Sequence, residues 1–174
     1  MEEEKERKEE KNLIFNCYEA WKELGNSIKE INSFRTGIKG SKKERMPNFL
    51  ECVSEFIGRS IMKGVYMGKG DMFVDGKRIE IKAISSKGPT SFGPSEAWDK
   101  IIFIDFRNQD EFVVYQSNSS NESKEWLDLK INKNETFGDQ CKAKRRPRIC
   151  FDLIKKYIEL DVIYKSDIKT FFQK

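Results

Sequence analysis

Along the chain the apolar positions fall into a few distinct rhythms. Residues 2–11, EEEKERKEEK, are charged throughout, and apolar residues then enter at Leu13, Ile14, Tyr18 and Trp21 with helical spacing. That spacing predicts an amphipathic helix, frayed at its charged start and ending near Gly25, which serves the core or a dimer face. A loop rich in cations, 33–48, separates it from a second helix opened by Pro47. In that helix Phe49, Leu50, Val53, Phe56, Ile57 and Ile61 form one apolar stripe, and Glu51 and Glu55 stand one turn apart.

The rhythm then changes from 3.6 to 2. In GDMFVDGKRIEIKA, residues 70–83, Asp75-Gly76 is a strong tight-turn signal, because Gly accepts positive φ and Asp tolerates it. Ile79, Ile81 and Ala83 alternate with Arg78, Glu80 and Lys82, so the second strand of this hairpin has one apolar and one charged side. A Ser/Gly/Pro loop (84–95) and a short helical turn, SEAWDK, follow. IIFIDF (101–106) is a nearly continuous apolar run, which suits a central strand covered on both faces. The turn RNQD joins it to a second strand, EFVVYQ (111–116). Residues 124–148 read as irregular, ICFDLIKKYIEL (149–160) as an amphipathic helix, and DIKTFF as a closing segment. The whole predicts one α/β domain over 1–174, a mixed central sheet flanked by helices.

Composition narrows the chemistry. The chain has 174 residues, with 36% charged residues, a net charge of +4 and no histidine. Without histidine there is no Ser-His-Asp triad, no Cys-His pair and no histidine zinc site. Any hydrolysis must run on carboxylates, Lys, Tyr or a metal. The four cysteines at 17, 52, 141 and 150 form no C-x-x-C pair and read as reduced thiols of a cytosolic protein. No apolar run approaches the ~20 residues of a membrane helix, and the N-terminus has no secretory pattern. The expectation is a soluble protein of the cytoplasm, in a bacterial or phage host cell, with no membrane partner.

Counting outward from the Asp75-Gly76 turn brings Asp71 beside Glu80, and alternation puts Glu80 and Lys82 on one face. Asp71, Glu80 and Lys82 are therefore expected to converge within a few ångströms. Two carboxylates make a hard oxygen site suited to Mg²⁺, which can lower the pKa of a water and neutralise phosphate charge. Lys82 can hold or help deprotonate an attacking water and stabilise developing charge.

The Gly-Asp, the Glu-x-Lys after eight intervening residues, the acidic helix before them and the IIFIDF strand after them resemble the active-site signature of the PD-(D/E)xK nuclease superfamily, most closely its small type II restriction endonucleases. The resemblance covers roughly 45–116, and Gly70 stands where the family name has Pro. It implies a restriction-endonuclease-like core with Asp71, Glu80 and Ile81 at the metal and Lys82 two positions beyond Glu80. Glu55, or less favourably Glu51, would join as a further acid. It also implies Mg²⁺-dependent hydrolysis of double-stranded DNA at a short specific site, by a homodimer, in a host that carries a cognate DNA methyltransferase. A Holliday-junction resolvase or repair nuclease of the same fold, an RNA nuclease and a non-catalytic DNA-binding module are the rival readings.

Two basic stretches are candidate DNA contacts. Arg35, Lys39, Lys42, Lys43 and Arg45 face only Glu44 in their loop. CKAKRRPR holds Lys142, Lys144, Arg145, Arg146 and Arg148 with no acid among them, just after Gln140, inside a DNA-contact segment of about 130–148. Arg bridges guanine and Gln pairs with adenine in the major groove, while phosphate contacts supply most of the affinity. Ser85, Ser86 and Lys87, directly after the Glu-x-Lys strand, offer hydroxyls and backbone N–H groups to the scissile strand.

Overall fold

The computed structural model describes residues 2–68, 71–108 and 110–173. It divides into two compact units, Met1–Phe56 and Ile57–Lys174. In the first, α1 (Glu2–Arg35) continues past the expected stop at Gly25. A Cβ at Gly25 would lie 2.5 Å from the Met46 methyl carbon, the flexible end of a side chain packed against the helix there. A lone Gly costs a helix only about 1 kcal/mol, too little to end one supported by packing. Residues 42–49 form a strap along α1. Asn32 donates to the Glu44 carbonyl at 3.0 Å and accepts from the Glu44 N–H at 2.7 Å, and Trp21 Nε1 donates to the Asn48 carbonyl at 3.0 Å. That strap delays the second helix: α2 runs Glu51–Met62 rather than opening at Pro47.

The second unit is built on a mixed six-stranded sheet in the order β1-β2-β3-β5-β6-β8. β2 (Asp71–Val74) and β3 (Lys77–Ile84) form the expected hairpin, and Asp75 and Gly76 take φ of 50° and 74° at its turn. β5 (Lys100–Asp105) pairs parallel with β3, and β6 (Glu111–Ser117) pairs antiparallel with β5. The outer strands β1 (Val65–Gly68) and β8 (Asp161–Asp167) were not signalled by any alternation. Val65 and Val162 are exposed, as suits edge strands that receive their order from a neighbour rather than from burial.

Tertiary contacts also replace four local expectations. SEAWDK is not helical: Ser95 lies in a turn and Asp99 in a bend, and the Asp99 N–H donates to the Arg78 carbonyl at 2.9 Å. The loop after β3 holds β4 (Pro89–Ser91), which pairs with β7 (Arg148–Cys150) in a separate two-stranded sheet. The stretch 124–148 contains α3 (Lys124–Leu127) and α4 (Phe137–Lys142), and α4 opens with a capping box between Thr136 and Asp139. The helix expected over 149–160 shrinks to α5 (Phe151–Tyr157), because Arg148–Cys150 is drawn into β7. α6 (Ile168–Gln173) ends the described chain.

Both faces of the β3–β5 pair are covered. On one face a Cβ at Gly58 of α2 would touch the side chains of Ile81 and Ile102. On the other, Ile84, Ile101 and Phe103 join a cluster of Phe92, Trp98, Trp126, Phe137 and Phe151. The charged side of β3 is therefore no solvent face, and this corrects the reading of that strand as half-exposed. No helix among the described residues is long and apolar enough to cross a membrane. All four cysteines are free.

These contacts set a scale. Phe103→Ala, in the middle of the cluster, should cost about 3–5 kcal/mol, and Gly76→Ala roughly 1 kcal/mol because the Ala must hold a positive φ. Val162→Ala on the exposed edge should change stability by less than about 0.5 kcal/mol. Urea midpoints of the three variants check the order.

Candidate active site

The backbones of Asp71 and Glu80 are directly paired across the hairpin, as the count from the turn requires. Gly70 and the Asp71 side chain lie outside the described residues. Glu80 is 4% exposed and points to the same side of β3 as Lys82, into the covered face. Lys82 Nζ lies 2.8 Å from Glu80 Oε1 and 3.0 Å from Glu96 Oε2, with its side chain only 14% exposed. Its ammonium also sits 5.4 Å from the centre of the Phe92 ring. Burial lowers the affinity of Lys82 for its proton, but Glu80 and Glu96 together outweigh it and hold the pKa above the ordinary lysine value. Lys82 is thus a cation at neutral pH.

Glu96 is the group that spacing did not reveal. Its segment is a roof over β3, fixed at several points. The Phe92 N–H donates to the Pro147 carbonyl at 2.9 Å, and the Glu96 N–H donates to the Gly93 carbonyl at 3.2 Å. The Trp98 N–H donates to Asn121 Oδ1 at 2.9 Å, and the Arg78 N–H donates to Asp99 Oδ2 at 2.8 Å. A Cβ at Gly93 would lie 2.9 Å from Glu96 Oε1, so the carboxylate folds back over Gly93. Burial first, and then the Glu96 carboxylate, push the Cys141 thiol up, which places α4 beside the same acid. Only the Gly-Pro turn before Ser95 hinted that this segment reverses.

Two carboxylates converging on one ammonium are hard oxygen donors already balanced by a cation, the donor chemistry a divalent ion takes. No cluster of three or more Asp, Glu, His or Cys groups able to hold a metal forms among the described residues. A third donor has to come from outside those side chains, and Asp71 is the residue paired with Glu80. Glu55 is half-buried on α2 and Glu51 exposed, both in the first unit. Ile81 is buried with its side chain on the opposite face of β3.

The candidate DNA contacts separate into exposed groups and tied ones. Lys39, Lys42, Lys43, Arg45, Ser85, Ser86, Lys87, Lys142, Lys144, Arg146 and Arg148 are all exposed. Arg35 is tied: it pairs with Glu44 and donates to the Lys42 carbonyl at 2.9 Å. The cation block does acquire an acid. Glu135 pairs with Arg145, accepts from Gln140 Nε2 at 3.1 Å and from Asn132 Nδ2 at 3.2 Å. An isolated bridge between Lys130 and Thr136 brings Glu135 back toward the block. Hydrogen bonds from Arg145, Gln140 and Asn132 lower the Glu135 pKa from 4.5 to about 2.

The model of the Bsp6I restriction endonuclease family matches residues 5–160. The chain is also 33% identical over 163 residues to the type II restriction enzyme Bsp6I of Bacillus sp. (strain RFL6), covering 88% of this chain and 86% of that one. No solved structure matches.

The Glu135 fork makes a pH prediction. A carboxyl whose folded pKa is depressed contributes stability that is present above its unfolded value of 4.5 and lost as pH falls toward about 2. The Glu135 carboxyl carbon, followed by NMR, should titrate near pH 2 in the native protein and rise toward the ordinary carboxylate range in Arg145→Ala.

Proposed function

The chain belongs to the Bsp6I restriction endonuclease family, and on that premise we propose how its residues cut DNA. It is a type II site-specific deoxyribonuclease, and its substrate is double-stranded DNA. Enzymes of this kind work with a divalent metal, and the reading here is Mg²⁺ held by Glu80, Asp71 and the backbone carbonyl of Ile81, with Glu55 as a further acid. The ion would supply charge neutralisation at the scissile phosphate and a more acidic water.

The observation that carries the reading is the placement of Lys82 between Glu80 and Glu96. With its pKa raised, Lys82 is protonated and acts as a donor to water and phosphate oxygens rather than as a base. Low exposure strengthens that interaction, because less water screens it. With Glu80 holding a metal, Glu96 would still supply a counter-charge to Lys82 and keep the ammonium in place. Phe92 beneath it limits where it can go.

The exposed cations of 39–45 and 142–148, with Ser85, Ser86 and Lys87, grip phosphates, and Gln140 and Arg145, set by Glu135, are the candidates for base reading. The 174 residues work as one nuclease domain: a catalytic core over about 45–116, the DNA-contact segment over about 130–148, and C-terminal elements over 149–174. The enzyme acts as a homodimer in the host-cell cytoplasm, beside a cognate DNA methyltransferase that protects host DNA.

Plasmid digestion with Mg²⁺ and mapping of the ends test this directly. Wild type should give discrete fragments with one terminal sequence. Lys82→Ala should lose cleavage while still binding the same DNA, and fragments from a Lys82→Ala preparation equal to wild type would sink the assignment. Glu96→Ala should slow cleavage about 10–100-fold, the usual range for a group that orients a site residue, with DNA affinity unchanged. Lys142→Ala and Lys144→Ala should weaken binding to all sequences alike and each reduce the salt slope by about 1. Binding titrations at several salt concentrations check that.

A further inference from the structure

The first helix carries two stripes, and only one of them is used. Ile14, Tyr18 and Gly25 are buried, and Trp21, Ile28 and Asn32 are half-buried. One position before this face runs a second stripe: Leu13, Cys17, Ala20, Leu24, Ser27, Ile31 and Phe34. Its spacing alternates four and three residues throughout, which is the a/d seam of a coiled coil. All seven positions are exposed. Leu13 shows 65% of its surface, Leu24 50%, Ile31 44% and Phe34 70%. No charged residue interrupts the stripe over three heptads. We propose that this face of α1 is the interface with a second copy of the same chain, packed helix on helix about a two-fold axis.

Three observations select that occupant. The four large side chains and the small ones between them leave on the order of 500 Å² of largely apolar surface on one helix, in the upper part of the roughly 300–600 Å² of a typical monomer's largest and often functional patch, and over half of the roughly 800 Å² each partner buries in a standard interface. The stripe is flanked by Glu23 and Glu30, both exposed, and this acidic border repels phosphates, so the face is not a DNA surface. Each chain also contains a single Glu80–Lys82–Glu96 constellation, while a duplex has two strands to cut. That third argument rests on the nuclease reading above; the first two do not. A two-fold interface needs a self-complementary patch. Here an antiparallel partner would set Ala20 against Ile31 and Cys17 against Phe34, small against large, as close packing requires.

Sedimentation equilibrium of the full chain at micromolar concentration tests the seam. Wild type should sediment as a dimer. A double variant, Leu24→Lys with Ile31→Lys, should raise the dimer dissociation constant at least 100-fold while keeping its helical circular dichroism, since both positions are exposed and support no core. Lys29→Glu, on the side of the helix opposite the seam, should stay as dimeric as wild type. A monomeric wild type, or a double variant that dimerises as tightly as wild type, overturns the proposal. Plasmid digestion run in parallel separates the two readings. A wild type that dimerises through the seam but cuts nothing with Mg²⁺ removes the nuclease reading and leaves the interface standing. A double variant that nicks one strand but no longer makes double-strand breaks supports both.

Discussion

The rest of the structure depends on one constraint: a charged side chain pair occupies a strand that is buried on both faces. Removing an ammonium and a carboxylate from water costs several kcal/mol apiece unless each is paired and hydrogen-bonded. Glu80 and Lys82 meet that requirement with each other and with Glu96. The arrangement is tolerable because Glu96 arrives from a different segment, so one cation is shared by two acids and none of the three stands alone.

Bringing Glu96 there explains much of the surrounding architecture. The roof of 92–98 has to cross over β3, and each end of it is bonded to a distant part of the chain: Pro147 near β7, Asn121 after β6, and Arg78 at the start of β3. The small sheet of β4 and β7 holds the entry to the roof, and Phe92 and Trp98 anchor it in the same aromatic cluster that covers Phe103 and Trp126. Core packing and site geometry are thus one structure. The side chains that stabilise the second unit are the ones that keep Lys82 from swinging free.

The basic segment follows a similar logic on the surface. A block of like charges would repel itself and sample many conformations. Instead the capping box of α4, the positive φ of 54° at Lys144 and the Glu135–Arg145 pair give it a definite shape. Exposed ion pairs of this kind add little to global stability. Their effect here is local, setting the direction in which Gln140 and Arg145 are presented and leaving Lys142, Lys144, Arg146 and Arg148 exposed.

By itself the sequence determined whatever depends on neighbours in the chain. Asp75-Gly76 dictates a tight turn, the turn dictates that the Asp71 backbone faces that of Glu80, and alternation dictates that Glu80 and Lys82 share a side. The run from Ile101 to Ile104 demands a strand covered on both faces. Those inferences held because turn chemistry and strand periodicity act over a few residues. The tertiary structure alone decided what long-range burial controls. It carried α1 through Gly25, where the strap is bonded along the helix on either side at Trp21 and Asn32, turned SEAWDK from a helical turn into a roof, and recruited 148–150 into a strand with 89–91. It also made the charged side of β3 an interior face and supplied Glu96 to balance it. No local pattern encodes that acid, because its role exists only once a segment more than ten residues away has folded over the strand and excluded the water that would otherwise have solvated Lys82.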